Sequence, residues 1–162
     1  MTFARSFRPI EMLGGLLLVA TLTTATPTAG QTAQANQEIA RAAAKWAAVF
    51  VDDNPDSILA LYDDAAVLWG TLSPKLLAGK DGLRGYFERA FKALPGHKVA
   101  FGEQLIRVYG DVAINSGYYT FSYVKDGQTQ SIPARYSFVY RKRGANWMIV
   151  DHHSSAMPAP LK

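Results

Sequence analysis

The sequence predicts an α+β protein in which helices from the first half pack on a strongly twisted antiparallel sheet built from the second. Three observations predict it. Within residues 36–94, apolar residues recur at helical spacing. Everything after His97 is rich in Val, Ile, Tyr and Phe, the residues that suit a pleated surface. Gly110-Asp111, Asp126-Gly127 and Gly144-Ala145-Asn146 punctuate that half with the short turns that antiparallel neighbours use. Helices first and a meander afterwards is the α+β pattern. The 162 residues provide for one well-buried core. With 49% apolar and 19% charged residues, the chain reads as neither disordered nor a multi-span membrane protein. Its net charge of +4 is too small to imply a nucleic-acid partner.

Arg5 and Arg8 precede a mostly apolar run, residues 12–25, and then a stretch rich in Thr and Ala, the composition of a signal peptide. Fourteen helical residues span about 21 Å, short of a hydrocarbon core of roughly 30 Å, so cleavage rather than anchoring is expected. Thr23-Thr24-Ala25 and Ala33-Gln34-Ala35 offer small residues at two cut sites. Residues 1–35 are therefore assigned to a signal peptide and its cleavage region, 36–158 to the domain and 159–162 to a tail. The mature protein is expected to be exported, periplasmic or secreted, with no stable membrane anchor. It has no cysteine, so neither a lipid anchor nor a disulfide contributes.

Ile39, Ala43, Trp46 and Phe50 share a face of a first helix over residues 36–54. Asn54-Pro55-Asp56 then supplies a cap, a first-turn proline and an acid at the positive helix end, starting a short second helix through Tyr62. Asp63-Asp64 is expected to break it, leaving 65–69 as a short buried strand and 71–78 as a loop. Leu83, Tyr86, Phe87, Ala90 and Leu94 form the stripe of a third helix, which Pro95-Gly96 ends. Strands over 98–109, 112–124, 128–143 and 146–154 complete the chain.

Two helices, a short strand, a third helix and a four-stranded meander are similar to the cone-shaped nuclear transport factor 2-like (cystatin-like) fold, which SnoaL-like polyketide cyclases share. Ala134-Arg135-Tyr136-Ser137-Phe138-Val139-Tyr140 and the run from Trp147 to Pro158, with its His-His-Ser-Ser-Ala-Met-Pro ending, carry a narrower likeness. Trp46, Leu61-Tyr62, Gly70-Thr71-Leu72-Ser73, Tyr86-Phe87 and Gly110-Asp111 extend it. These residues resemble bacterial relatives of the calcium/calmodulin-dependent protein kinase II association domain. The resemblance implies an oligomerisation hub with a pocket, and so a homodimer or higher homo-oligomer. It does not imply a kinase, since 162 residues leave no room for a kinase domain. The positions of the hub's pocket His and Arg groups fall here on Leu83, Tyr119, Phe138 and Ser154, none of them cationic.

Strand parity sorts the candidate site residues. Tyr136, Phe138 and Tyr140 share one face of their strand, and His152 and Ser154 share one on the next. With Trp69, Tyr86 and Tyr119 they form the expected lining for a small, partly apolar ligand. Arg135 and His153 face the other way and are second-tier candidates; Arg135 is expected to pair with Asp63, Asp64 or Glu103. Adjacent His152 and His153 point to opposite faces and cannot chelate one ion, so neither a metal nor another cofactor is expected. Asp151 and His153 share a face and are the weak candidates for an acid–base pair, with no nucleophile beside them. Arg141-Lys142-Arg143 reads as a solvated turn. Because both sheet faces carry large apolar groups, self-association through the face the helices leave bare is expected. The leading expectation is an exported, oligomeric ligand-binding domain. The alternatives are an enzyme of isomerase, cyclase or dehydratase type, and a purely structural assembly module.

Overall fold

The structure is a computed structural model that describes residues 29–159. Most of the expected leader, residues 1–28, and the tail beyond residue 159 lie outside the described residues. Helix α1 (Ala29–Phe50) begins before the expected residue 36: beyond Gly30 the approach is rich in Ala and Gln and has no proline, and Gln34 reaches Glu38 one turn on, at 3.2 Å. It ends earlier than expected too, with Asp53 at φ 53° just beyond. Asn54 then caps α2 (Pro55–Leu59), its side chain accepting the Asp56 N–H at 2.9 Å.

Strand β1 (Tyr62–Trp69) starts earlier than its apolar run, so Asp63 and Asp64 lie inside a strand instead of breaking a helix. Each has a basic partner there: Arg143 holds Asp63 at 2.9 Å and Lys80 holds Asp64 at 2.7 Å. The expected loop contains a two-residue strand, β2 (Leu77–Ala78), paired with β1. Helix α3 (Gly79–Ala93) follows, burying Leu83, Phe87, Ala90 and Phe91. The meander is β3 (Lys98–Tyr109), β4 (Val112–Lys125), β5 (Gln128–Arg143) and β6 (Asn146–Ala156). Asp126 and Gly127 both take positive φ, 52° and 74°, in a tight hairpin turn whose twist matches the strands.

The sheet order is β2-β1-β6-β5-β4-β3, antiparallel except where β1 runs parallel to β6. A bulge in β6 skips Val150, so Ile149 pairs Tyr140 while His152 pairs Phe138. That extra residue lets Ile149 and His152, three positions apart, both face inward, where they are 1% and 3% exposed. The helices pack on this inner face. Trp46 lies at the centre of the core, 5.4 Å from Phe138, 5.6 Å from His152 and 6.3 Å from Tyr119, ring to ring. Buried His97 joins the ends of two helices, its Nε2 2.6 Å from the Phe50 carbonyl and its Nδ1 2.9 Å from that of Leu94. Among the described residues, no helix is long and apolar enough to cross a membrane.

Candidate functional site

Between α3 and the meander, the inner face closes around a cavity of about 20 Å³, room for about one water. Tyr86, Phe87, Tyr119 and Phe121 supply aromatic walls, and Thr71, His152 and Ser154 the polar ones. Among the described residues, no Asp, Glu, Lys or Arg side chain lines it. The Gly70–Ser73 turn, closed by Ser73 N–H donating to the Gly70 carbonyl at 2.8 Å, brings Thr71 to the mouth. Tyr86 lies over Gly70 so closely that a Cβ there would sit 2.4 Å from the ring. Only glycine leaves the phenol that position.

Beneath the mouth runs a continuous polar chain. Trp46 Nε1 donates to Tyr62 Oη at 3.0 Å, and Tyr62 Oη lies 2.8 Å from His152 Nδ1. His152 Nε2 meets Tyr119 Oη at 3.3 Å, Tyr119 donates to Ser154 Oγ at 2.5 Å, and Ser154 hydrogen-bonds Thr71 Oγ1. An indole N–H can only donate, so the Tyr62 proton is left for Nδ1. Burial, with a small contribution from the charge of His153, pushes the His152 pKa down to about 3, so the ring is neutral and this network assigns its proton to Nε2. Both ring nitrogens are then committed. His152 has no free lone pair with which to act as a general base. Burial also raises the phenols of Tyr62 and Tyr119, which therefore remain neutral donors.

Of the residues the sequence proposes for a ligand, the cavity gathers Tyr86, Tyr119, His152 and Ser154. Phe138 and Tyr136 share their face but lie in packed core, Tyr136 donating to buried Asn115 at 3.1 Å. Trp69 does not join them: Leu68 takes the inward position, and Trp69 lies outside, 45% exposed, paired with His153. Arg135 and His153 lie on the outer face, as parity requires. Arg135 Nε donates to Ser155 at 3.0 Å rather than to Asp63 or Asp64, which hold Arg143 and Lys80. Asp151 and His153 pair with outward Val139 and Ser137, so neither reaches the cavity. Sequence reading missed Trp46, Tyr62 and Thr71 as members of the polar chain. Tyr62 was expected to end a helix, Trp46 matched a core stripe, and Thr71 lay in an expected loop.

Over residues 35–158 the chain matches the family described as calcium/calmodulin dependent protein kinase II association domain. The chain belongs to that family. A crystal structure assigned to the same association domain, from Xanthomonas campestris, is 35% identical with a TM-score of 0.70, covering 75% of this chain and 87% of that one. A nuclear transport factor 2-like protein from Salmonella enterica (21% identity, TM-score 0.69, coverage 80% and 95%) shares the fold. So does an NTF2-like protein with a cystatin-like fold from Novosphingobium aromaticivorans (15%, TM-score 0.68, coverage 79% and 85%). No curated protein matches significantly.

In this association domain the four positions laid on the hub's pocket, Leu83, Tyr119, Phe138 and Ser154, are all buried and none carries charge. Arg141, Lys142 and Arg143 each meet a carboxylate, Asp111 at 3.6 Å, Glu38 at 3.1 Å and Asp63 at 2.9 Å. Trp147 Nε1 also donates to Glu38, at 2.9 Å, and with Lys142 holds its carboxyl down at about 2.

Proposed function

We propose that this chain is an exported domain that assembles with copies of itself through the outer face of its sheet. The observation that carries the reading is the contrast in cover. The helices occupy the inner face, while the outer face presents Trp69, Leu105 and Tyr118, 45%, 60% and 50% exposed, with Val67, Ile114 and Val139 half-buried between them. Exposed apolar side chains on an uncovered sheet face of this kind favour a self-complementary contact. Membership of an association-domain family supports the same reading, and the leader-like composition of residues 1–25 supports export.

A second reading, a small ligand held in the cone, is favoured by the aromatic mouth and the polar chain beneath it. An acid–base enzyme is less well supported, because the buried imidazole has no free lone pair and Asp151 and His153 lie outside. Native mass spectrometry of protein purified from its own periplasm or medium tests both readings. A homo-oligomer starting between Thr26 and Asn36 is expected. A monomer, or a product that retains residues 12–25, contradicts the proposal.

A further inference from the structure

We infer that the cone is a site for a neutral ring molecule carrying one hydrogen-bond-accepting oxygen, and that the Thr71 hydroxyl is the donor that recognises it. The inference rests on the second reading above, and it names the ligand's chemistry and the residue that selects it. The polar chain has a direction. It starts at Trp46, a group that can only donate, and each member passes its proton on, through Tyr62, His152 and Tyr119 to Ser154 Oγ. Either hydroxyl can donate in the Ser154–Thr71 pair, and when Ser154 does, the Thr71 proton is left for the cavity. The Thr71 hydroxyl is the last rotor of this chain and the one at the mouth. It can turn back onto Tyr119, which it also contacts, or turn toward an oxygen in the cavity. The cavity that Thr71 lines holds about 20 Å³, room for about one water.

Charge decides the class of ligand. Among the described residues no Asp, Glu, Lys or Arg lines the cavity and His152 is neutral, so an anion entering it would lose its hydration without meeting a counter-charge. Shape decides the rest. The walls include the aromatic side chains of Tyr86, Phe87, Tyr119 and Phe121, which suit a ring. A ring needs more space than one water, and the half-buried side chain of Tyr86 at the mouth is the group whose rotation from Gly70 provides it. The ligand's oxygen then meets the Thr71 hydroxyl.

Acetophenone and benzoate, similar in size but differing in charge, are the probes, and the assigned Trp46 indole signal reports binding in the cone. The inference expects acetophenone to shift that signal and benzoate to bind at least about tenfold more weakly. Thr71→Val is expected to weaken acetophenone by roughly three- to tenfold, the range of one neutral hydrogen bond, and Thr71→Ser to restore it. Benzoate binding as tightly as acetophenone, or wild-type acetophenone affinity in Thr71→Val, overturns the inference and leaves a cone that binds ligands. If neither probe moves Trp46 in the folded, assembled protein, the cone-binding reading falls, and the inference with it.

Discussion

Two adjacent rows cross the same five strands and meet opposite fates. Leu68, His152, Phe138, Asn115 and Ile106 form the inner row; Trp69, His153, Ser137, Ser116 and Leu105, each one residue away, form the outer. Four members of the inner row are 3% exposed or less, and its polar members are bonded within the chain: His152 to two tyrosines, Asn115 to Tyr136 and Gln104. In the outer row, Ser116 and Ser137 bond each other at 3.0 Å, while Trp69 and Leu105 are exposed, with none of the described helices above them. Inner-row changes should therefore register as lost stability. Outer-row changes should register as lost assembly.

The sharpest contrast comes from the centre of the inner row. Phe138 is fully buried against Trp46, Tyr136, Tyr140 and His152. Phe138→Ala is expected to cost about 3–5 kcal/mol in urea unfolding, whereas Ser137→Ala beside it should change stability by less than about 1 kcal/mol. Equal costs would erase the distinction between the faces.

The next effect is a pH dependence that begins with His152 of the inner row. The folded pKa of His152 is pushed down to about 3 by burial, below the roughly 6.5 of an unfolded histidine. Between those values the unfolded chain binds a proton that the folded one does not, so stability falls as pH drops. The expected loss is about 1.4 kcal/mol per unit below about pH 6. His152→Gln should remove that part of the slope, and an unchanged slope would show that the imidazole is not the group responsible. Glu38, held down at about 2 by Trp147 and Lys142, contributes in the same direction but only below its unfolded value of about 4.5, so the window from pH 6 to 5 isolates the histidine.

A smaller effect is expected at the mouth. Gly70→Ala drives the Tyr86 ring from its place, at about 1–3 kcal/mol, and should raise the solvent exposure of the Tyr86 phenol; unperturbed Tyr86 resonances would contradict that geometry. Least of all should follow from Arg143→Gln, which breaks a half-exposed ion pair with Asp63 and should cost under about 1 kcal/mol by thermal unfolding.

The faces were legible in the sequence wherever strand alternation ran undisturbed. Residues 134–140 alternate without interruption, and Tyr136, Phe138, Arg135 and Ser137 fall where parity places them. Parity gave no warning at Val150, where the bulge puts Ile149 and His152 on one face; nothing in a run of Trp, Met, Ile and Val marks the extra residue. Trp69 was misplaced for a related reason: a short, continuously apolar strand does not reveal which of its neighbours faces inward. The start of β1 was hidden because two aspartates read as a breaker until Arg143 and Lys80, distant in sequence, are seen to pair them. The polar chain from Trp46 to Thr71 was the least legible feature. Its members come from α1, β1, β4, β6 and a loop, and each looks ordinary within its own segment.

Sedimentation velocity of the exported protein at micromolar concentration, beside Leu105→Asp and Tyr118→Asp variants, decides whether the outer face carries assembly. A dimer or larger assembly is expected for the wild-type protein, and monomers that retain the fold by circular dichroism for both variants. A monodisperse wild-type monomer, or an assembly unchanged by both outer-face charges, would contradict that expectation.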